Sequence, residues 1–195
     1  MNRARPALLS AATALALLFN ASIARADSPE AKVVGTLVKS VRYNADAKAL
    51  QQIAGEEQGA ILLGDDWAKG TEAQRTQFVT LFHALFAGIA FPKLRDNLQN
   101  LGTTLFEEPK VAGNKAEMVS TIVIDHPLKK QEYRIQWALV KAKDGWKVVD
   151  MTVLGVGGNS MLTDIRNDQI VPIMAQGGWP HLLQAMQTRL DSLKK

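Results

Sequence analysis

The hydrophobic period of this chain changes twice, from about 3.6 residues to 2 near Thr103 and back after Gly158. Such a chain has helices, then a block of strands, then helices again, which limits it to an α+β architecture. Ser28-Pro29 is a helix start: a hydroxyl cap followed by a proline whose missing N–H costs nothing there. Val33, Val34, Leu37, Val38 and Val41 continue it. A second helix is expected from Asn44 or Asp46 with Leu50 and Ile53 inward, and a short one over Ala60 to Trp67 that stops at Gly70. Thr71-Glu72-Ala73-Gln74 is a capping box. The set Phe78, Leu81, Phe82, Leu85, Phe86 and Ile89 then covers a broad helical face, until Pro92 is expected to break or kink it, with a shorter helical piece on to Gln99.

The strand block is predicted from Thr103 to Val153. Thr103 to Glu107 is the first strand. Met118, Ser120, Ile122 and Ile124 alternate with Glu117, Val119, Thr121 and Val123; Tyr133, Ile135, Trp137 and Leu139 alternate with Arg134, Gln136, Ala138 and Val140. Asp144-Gly145 marks a tight hairpin, with Trp146 to Val153 as the return strand. Sequential strands with short loops make an antiparallel sheet, covered on its more apolar side. Met161, Leu162, Ile165, Ile170, Ile173 and Met174 form the next helix, Gly177-Gly178 stops it, and Pro180 opens the last. No repeat or long linker divides the chain, so a single domain is expected over residues 27–195.

Ahead of that domain, Arg3 and Arg5, the apolar run from Ala7 to Phe19 and the small-x-small site Ala24-Arg25-Ala26 read as a cleavable signal peptide over residues 1–26, too short to span a bilayer. The chain is expected to work in a bacterial periplasm, away from ATP and NAD. Of its 23 basic residues three are arginines of this leader, which leaves 20 against 19 acidic residues and a net charge near +1. That is no basis for nucleic-acid binding. Cysteine is absent, which removes disulfides, thiolate metal sites, a thiol nucleophile and a lipid anchor on cysteine.

Groups that could carry chemistry are few. His83, His126 and His181 have no metal-ligand spacing, and no serine sits in a nucleophile elbow. Gly155-Val156-Gly157-Gly158-Asn159-Ser160 lies between strand and helix but lacks the third small residue of a dinucleotide loop and the Walker lysine. It reads as a flexible connection whose glycines permit close approach to the backbone. Asp150 is an acid in mid-strand. It is either bonded to a neighbouring loop, paired with a base such as Arg134, or a proton-transfer base facing a pocket. Five methionines and five phenylalanines beyond the leader supply pliant apolar bulk, suited to an ordinary core or to the wall of a gap between layers.

Three stretches, in order, resemble the MlaC/toluene-tolerance family. Leu62-Leu63-Gly64-Asp65-Asp66-Trp67 through Thr71, Gln74-Arg75 and Phe78 is similar to its LG-x-x-W-x-x-(A)T-x-x-Q-R-x-x-F stretch. Gly145-Trp146-Lys147-Val148-Val149-Asp150-Met151 is similar to its G-x-W-K-V-x-D-V strand. Gly155-Val156, the polar helix start near Arg166-Asn167-Asp168 and the Gly178 to Leu183 segment complete a likeness over most of residues 28–190. Two places depart from the pattern. The tyrosine-rich stretch after the capped helix is here Phe86 to Phe91, without tyrosine, and the usual E-G-V-S reads Leu154-Gly155-Val156-Gly157.

The resemblance implies a curved antiparallel sheet of about four strands packed against several helices and enclosing an apolar cavity. It implies a phospholipid held there by its tails, headgroup towards solvent. It further implies a carrier, expected to be monomeric, that passes lipid between an outer-membrane lipoprotein complex and an inner-membrane ABC transporter with an MCE-type ring, with no cofactor, metal or catalytic residue. A related branch is linked to hopanoids, so the ligand class stays open. So do an enzyme using Asp150 and a ligand-free adaptor. The residues expected against lipid tails are Phe82, Phe86, Met118, Ile122, Trp137, Met151, Val153, Met161, Ile165 and Met174; a slip of one residue in strand register would exchange half of these.

Overall fold

A computed structural model describes residues 27–194 apart from Pro127; the leader expected over residues 1–26 lies outside the described residues. Helix α1 (Pro29–Arg42) starts where Ser28 Oγ accepts from the Ala31 N–H, and its valine and leucine stripe is buried. After α2 (Asp46–Leu50) comes α3 (Gly55–Leu63), which begins five residues earlier than the apolar spacing indicates. Its first two turns are glycine-bearing because they pack closely: a Cβ on Gly59 would collide with the Trp67 ring. Gly64, at φ 57° and ψ −128°, then splits α3 from α4 (Asp65–Lys69), a turn that L side chains rarely adopt.

Helix α5 (Glu72–Leu85) carries the complete capping box, Thr71 Oγ1 accepting from the Gln74 N–H and Gln74 Oε1 from the Thr71 N–H. It does not end at Pro92. A π-helical turn, Phe86–Ala90, leads straight into α6 (Phe91–Leu98), with the Phe91 N–H reaching back five residues to the Phe86 carbonyl. The widened turn absorbs the donor that proline lacks. The same arrangement recurs near the end of the chain. Helix α7 (Met161–Ile165) passes through the π turn Arg166–Ile170 into α8 (Val171–Ser192), whose second residue is Pro172. Within α8, Gly177 and Gly178 leave helical geometry, so the expected interruption stands.

The sheet is antiparallel, in the order β1 (Leu101–Phe106), β3 (Lys115–His126), β4 (Lys129–Ala142), β5 (Gly145–Val153). A short β2 (Lys110–Ala112), which the alternation does not reveal, pairs with the same edge of β3 as β1 does. In register, Met118 faces Trp137 and Trp137 faces Met151. A bulge between Ala138 and Leu139 shifts the β4–β5 ladder, so Asp150 pairs with Ala138 and Val148 with Leu139. The free edge of β5 is covered where Ile53 bridges Val148 in parallel: the Val148 N–H donates to the Gln52 carbonyl and the Ala54 N–H to the Val148 carbonyl.

Helices α1, α3 and α7 pack on β5, α1 also reaching β3, and α5 and α8 pack on one another behind them. A column of rings crosses that second layer. Trp67 and Trp179 meet Phe78, which stacks on Phe82 at 5.6 Å; Phe82 meets Phe86 edge-on at 4.9 Å, and Phe86 meets Phe91 at 6.0 Å. The column ends at the junction between helices and sheet.

Candidate functional site

That junction is not filled. A cavity of about 310 Å³ lies between the inner face of the sheet and helices α1, α3, α6 and α7. The sheet contributes Ile122 and Ile124 from β3, Tyr133, Ile135 and Trp137 from β4, and Val148, Val149, Met151 and Val153 from β5. The helical side contributes Leu37, Val38 and Val41 of α1, Ile53 and Gln58 at and beyond the bridge, and Phe86, Phe91, Leu94, Asn97 and Leu98 around the π turn and α6. Met161 of α7 closes the ring. The period-2 alternation of β3 and β4 aims one row from each into this volume, whereas β5, where the ladder shifts, lines it with the successive residues Val148 and Val149 as well as Met151 and Val153.

Exposure grades along β4 and β5, while Ile122 and Ile124 of β3 are both buried. On β4 it falls from 43 % at Tyr133 to 8 % at Ile135 and 4 % at Trp137. On β5, Val153 and Met151 are half-buried while Val149 and Val148 are buried; Asn97 on α6 is exposed. The mouth therefore lies at the Tyr133, Asn97 and Val153 end, and the floor at the Val148 and Ile53 end.

Polar groups in the lining are mostly committed to the protein. The Gln58 amide N–H donates to the Val149 carbonyl at 2.8 Å, which orients the side chain and leaves Oε1 a buried acceptor without a protein partner among the described residues. The Trp137 Nε1–H donates to Ser120 Oγ at 2.8 Å and fixes the indole plane against the wall. Asp150 Oδ1 accepts from the N–H groups of Met151 at 2.8 Å and Leu162 at 3.0 Å. The second bond satisfies a free donor at the first turn of α7, beside the Ser160 cap. Arg134 pairs with Glu107 at 2.6 Å and not with Asp150. Of the three roles open to Asp150 in the sequence, this geometry matches the bond to a neighbouring segment. Two arginines brace the helical rim: Arg95 donates to the Val41 carbonyl and to Asp46, and Arg42 to the carbonyls of Leu101 and Gln99.

Six of the ten residues expected against lipid tails, Phe86, Ile122, Trp137, Met151, Val153 and Met161, lie on this lining. The other four stand off it. Phe82 is buried between Phe78 and Phe86; Met118 is fully buried beside Trp137; Ile165 and Met174 pack against the core from α7 and α8. Ile124, Tyr133 and Ile135 were within reach of sequence reasoning, since they share strand faces with Ile122 and Trp137. Val149, which shares its strand face with Met151 and Val153, was too; Val148, Ile53 and Gln58 were not, because a bulge, a parallel bridge and the packing of α3 on β5 place them, and none of these has a periodic signature.

Residues 32–188 match the family described as MlaC protein. The chain belongs to the MlaC family. Among solved structures, it is similar to a phospholipid-binding protein from Ralstonia solanacearum in complex with a phospholipid, at 19% identity and a TM-score of 0.65 over 88% of this chain and 100% of that one. At that identity the likeness establishes the shared fold. No curated relative matches the chain.

Proposed function

We propose that this MlaC-family protein is a periplasmic carrier that holds a phospholipid by its hydrocarbon chains and passes it between membrane complexes without altering it. The carrying observation is the graded apolar cavity between sheet and helices. Burial of hydrocarbon is worth about 0.8 kcal/mol per methylene, so a dozen methylenes offer about 10 kcal/mol before ordering costs. A headgroup at the Tyr133 and Asn97 end stays in water. Membership of the MlaC family and the fold shared with a phospholipid complex support the ligand class. The export leader supports the compartment, with residues 27–195 as the mature domain. An outer-membrane lipoprotein complex and an inner-membrane MCE/ABC transporter are the two ends between which the lipid passes. Rapid transfer is served by a cavity that offers the tails no covalent or ionic grip.

The experiment is organic extraction of the purified protein with mass spectrometry of the extract, on the wild type and on Met151→Arg. Met151 is half-buried on the lining, so a guanidinium there reaches water near the mouth while crowding the channel. Stoichiometric phospholipid in the wild type and several-fold less in a folded Met151→Arg protein are the expected results. Equal lipid in both proteins would remove the cavity as the binding site, and none in the wild type would remove the carrier reading.

A further inference from the structure

We infer that the cavity measures hydrocarbon length, with the floor formed by Ile53, Gln58, Val148 and Val149 as the stop. The inference rests on the carrier reading and adds to it which chains are accepted. The floor is braced by bonds that cross from the helical layer to β5. Val148 is held on both its backbone groups by the Gln52 carbonyl and the Ala54 N–H, Lys147 Nζ donates to the Gln51 carbonyl at 2.6 Å, and Gln58 is tied to the Val149 carbonyl. Ile53 and Val148 are 9 % and 4 % exposed. The mouth, by contrast, is ringed by the exposed side chains of Tyr133 and Asn97 and the half-buried Val153.

Two independent lengths agree. Along β4, the Tyr133 and Leu139 levels are six residues apart and the Ile135 and Leu139 levels four, and Leu139 is level with Val148 on β5. At about 3.3 Å per residue this is roughly 13–20 Å from the mouth region to the stop. A zigzag chain advances about 1.25 Å per carbon, given bonds of about 1.5 Å and angles near 111°, so the depth takes roughly 10–16 carbons. By volume, a dry cavity of about 150 Å³ holds a six-carbon ring, so 310 Å³ holds about a dozen carbons. Chain beyond that length has to remain at the mouth.

Side-chain size at Ile53 sets the depth, because its bridge to Val148 is made by the backbone and survives substitution. Ile53→Ala deepens the stop and Ile53→Phe raises it, while Met118→Leu, off the lining, leaves it unchanged. Mass spectrometry of lipid co-purified with each folded protein reads the mean chain length. Expected are a shift of about two carbons upward for Ile53→Ala, allowing for partial collapse of the vacated space, a downward shift for Ile53→Phe, and none for Met118→Leu. The wild-type protein provides a second measurement that does not depend on any variant folding. Its affinity for straight-chain fatty acids should rise about fourfold per methylene up to roughly a dozen carbons and then level off. Lipid present with the same distribution in all proteins, or affinity still rising at about eighteen carbons, overturns the gauge and leaves the carrier intact. Absence of lipid from the wild type overturns both.

Discussion

Asp150 shows how one side chain can look catalytic and act structurally. Its carboxylate sits in a β-strand where a polar residue is costly, but Oδ1 is committed to two N–H groups, one of them opening α7. Asp150→Ala should cost about 1 kcal/mol, the usual loss when a helix cap is removed, whereas Asp150→Asn keeps an acceptor and should retain most of the stability together with the bound lipid. Urea titration beside lipid extraction checks both; an Asn variant that keeps its fold but loses a chemical activity would restore the enzyme reading. Ser120 and Trp137 make the complementary case. Both are buried, and the indole N–H has the serine as its partner. Ser120→Ala should destabilise by about 1–3 kcal/mol, because it leaves a buried donor unpaired, and the same titration will measure it.

Elements here are joined by irregularities, each with an assignable cause. Two π turns precede Pro92 and Pro172 and let a helix run through positions where a proline would otherwise stop it. The first also turns the buried stripe: Phe86 and Phe91, five residues apart, both reach the cavity and touch each other. In a regular α-helix they would diverge by more than a third of a turn. At Gly64 the backbone needs a positive φ, and an added Cβ would also lie 3.2 Å from the Arg166 guanidinium. Gly64→Ala should therefore lower stability by about 1–3 kcal/mol, with a fall in thermal midpoint by circular dichroism as the readout. A neutral result would mean that the α3–α4 turn can rearrange.

For the whole molecule, the contrast is between a second helical layer that is solid and a sheet-facing layer that is hollow. The ring column from Trp67 and Trp179 to Phe91 fills the space between α5 and α8, so the cavity has a firm back wall. His83 lies in this layer beside Gly55, and burial holds its pKa below the ordinary 6.5. The unfolded chain then binds the proton first as pH falls. Stability should decline below about pH 6.5 and level off once the folded pKa is passed. His83→Leu should flatten that part of the curve relative to the wild type, as thermal melts between about pH 7 and 5 would show. A parallel decline in both proteins would assign the pH dependence to other groups.

Element types were legible in the chain because hydrophobic period is a local property. The capping box at Thr71, the hairpin at Asp144-Gly145 and the alternation from Met118 to Leu139 each act within a few residues. The motifs around Trp67 and Trp146 also carried the family resemblance. What tertiary structure alone decided is the hollow and its boundary. Residues such as Met118 and Phe82 have the same chemistry as Met151 and Phe86, and only the packing of neighbouring layers puts the first pair in solid core and the second against open space. The floor follows the same rule. Ile53 meets Val148 across ninety-five positions of chain, through backbone bonds that any side chains could make. Composition states how much apolar surface must be buried, but whether that surface closes on itself or around a void depends on distances between elements, which no local pattern encodes.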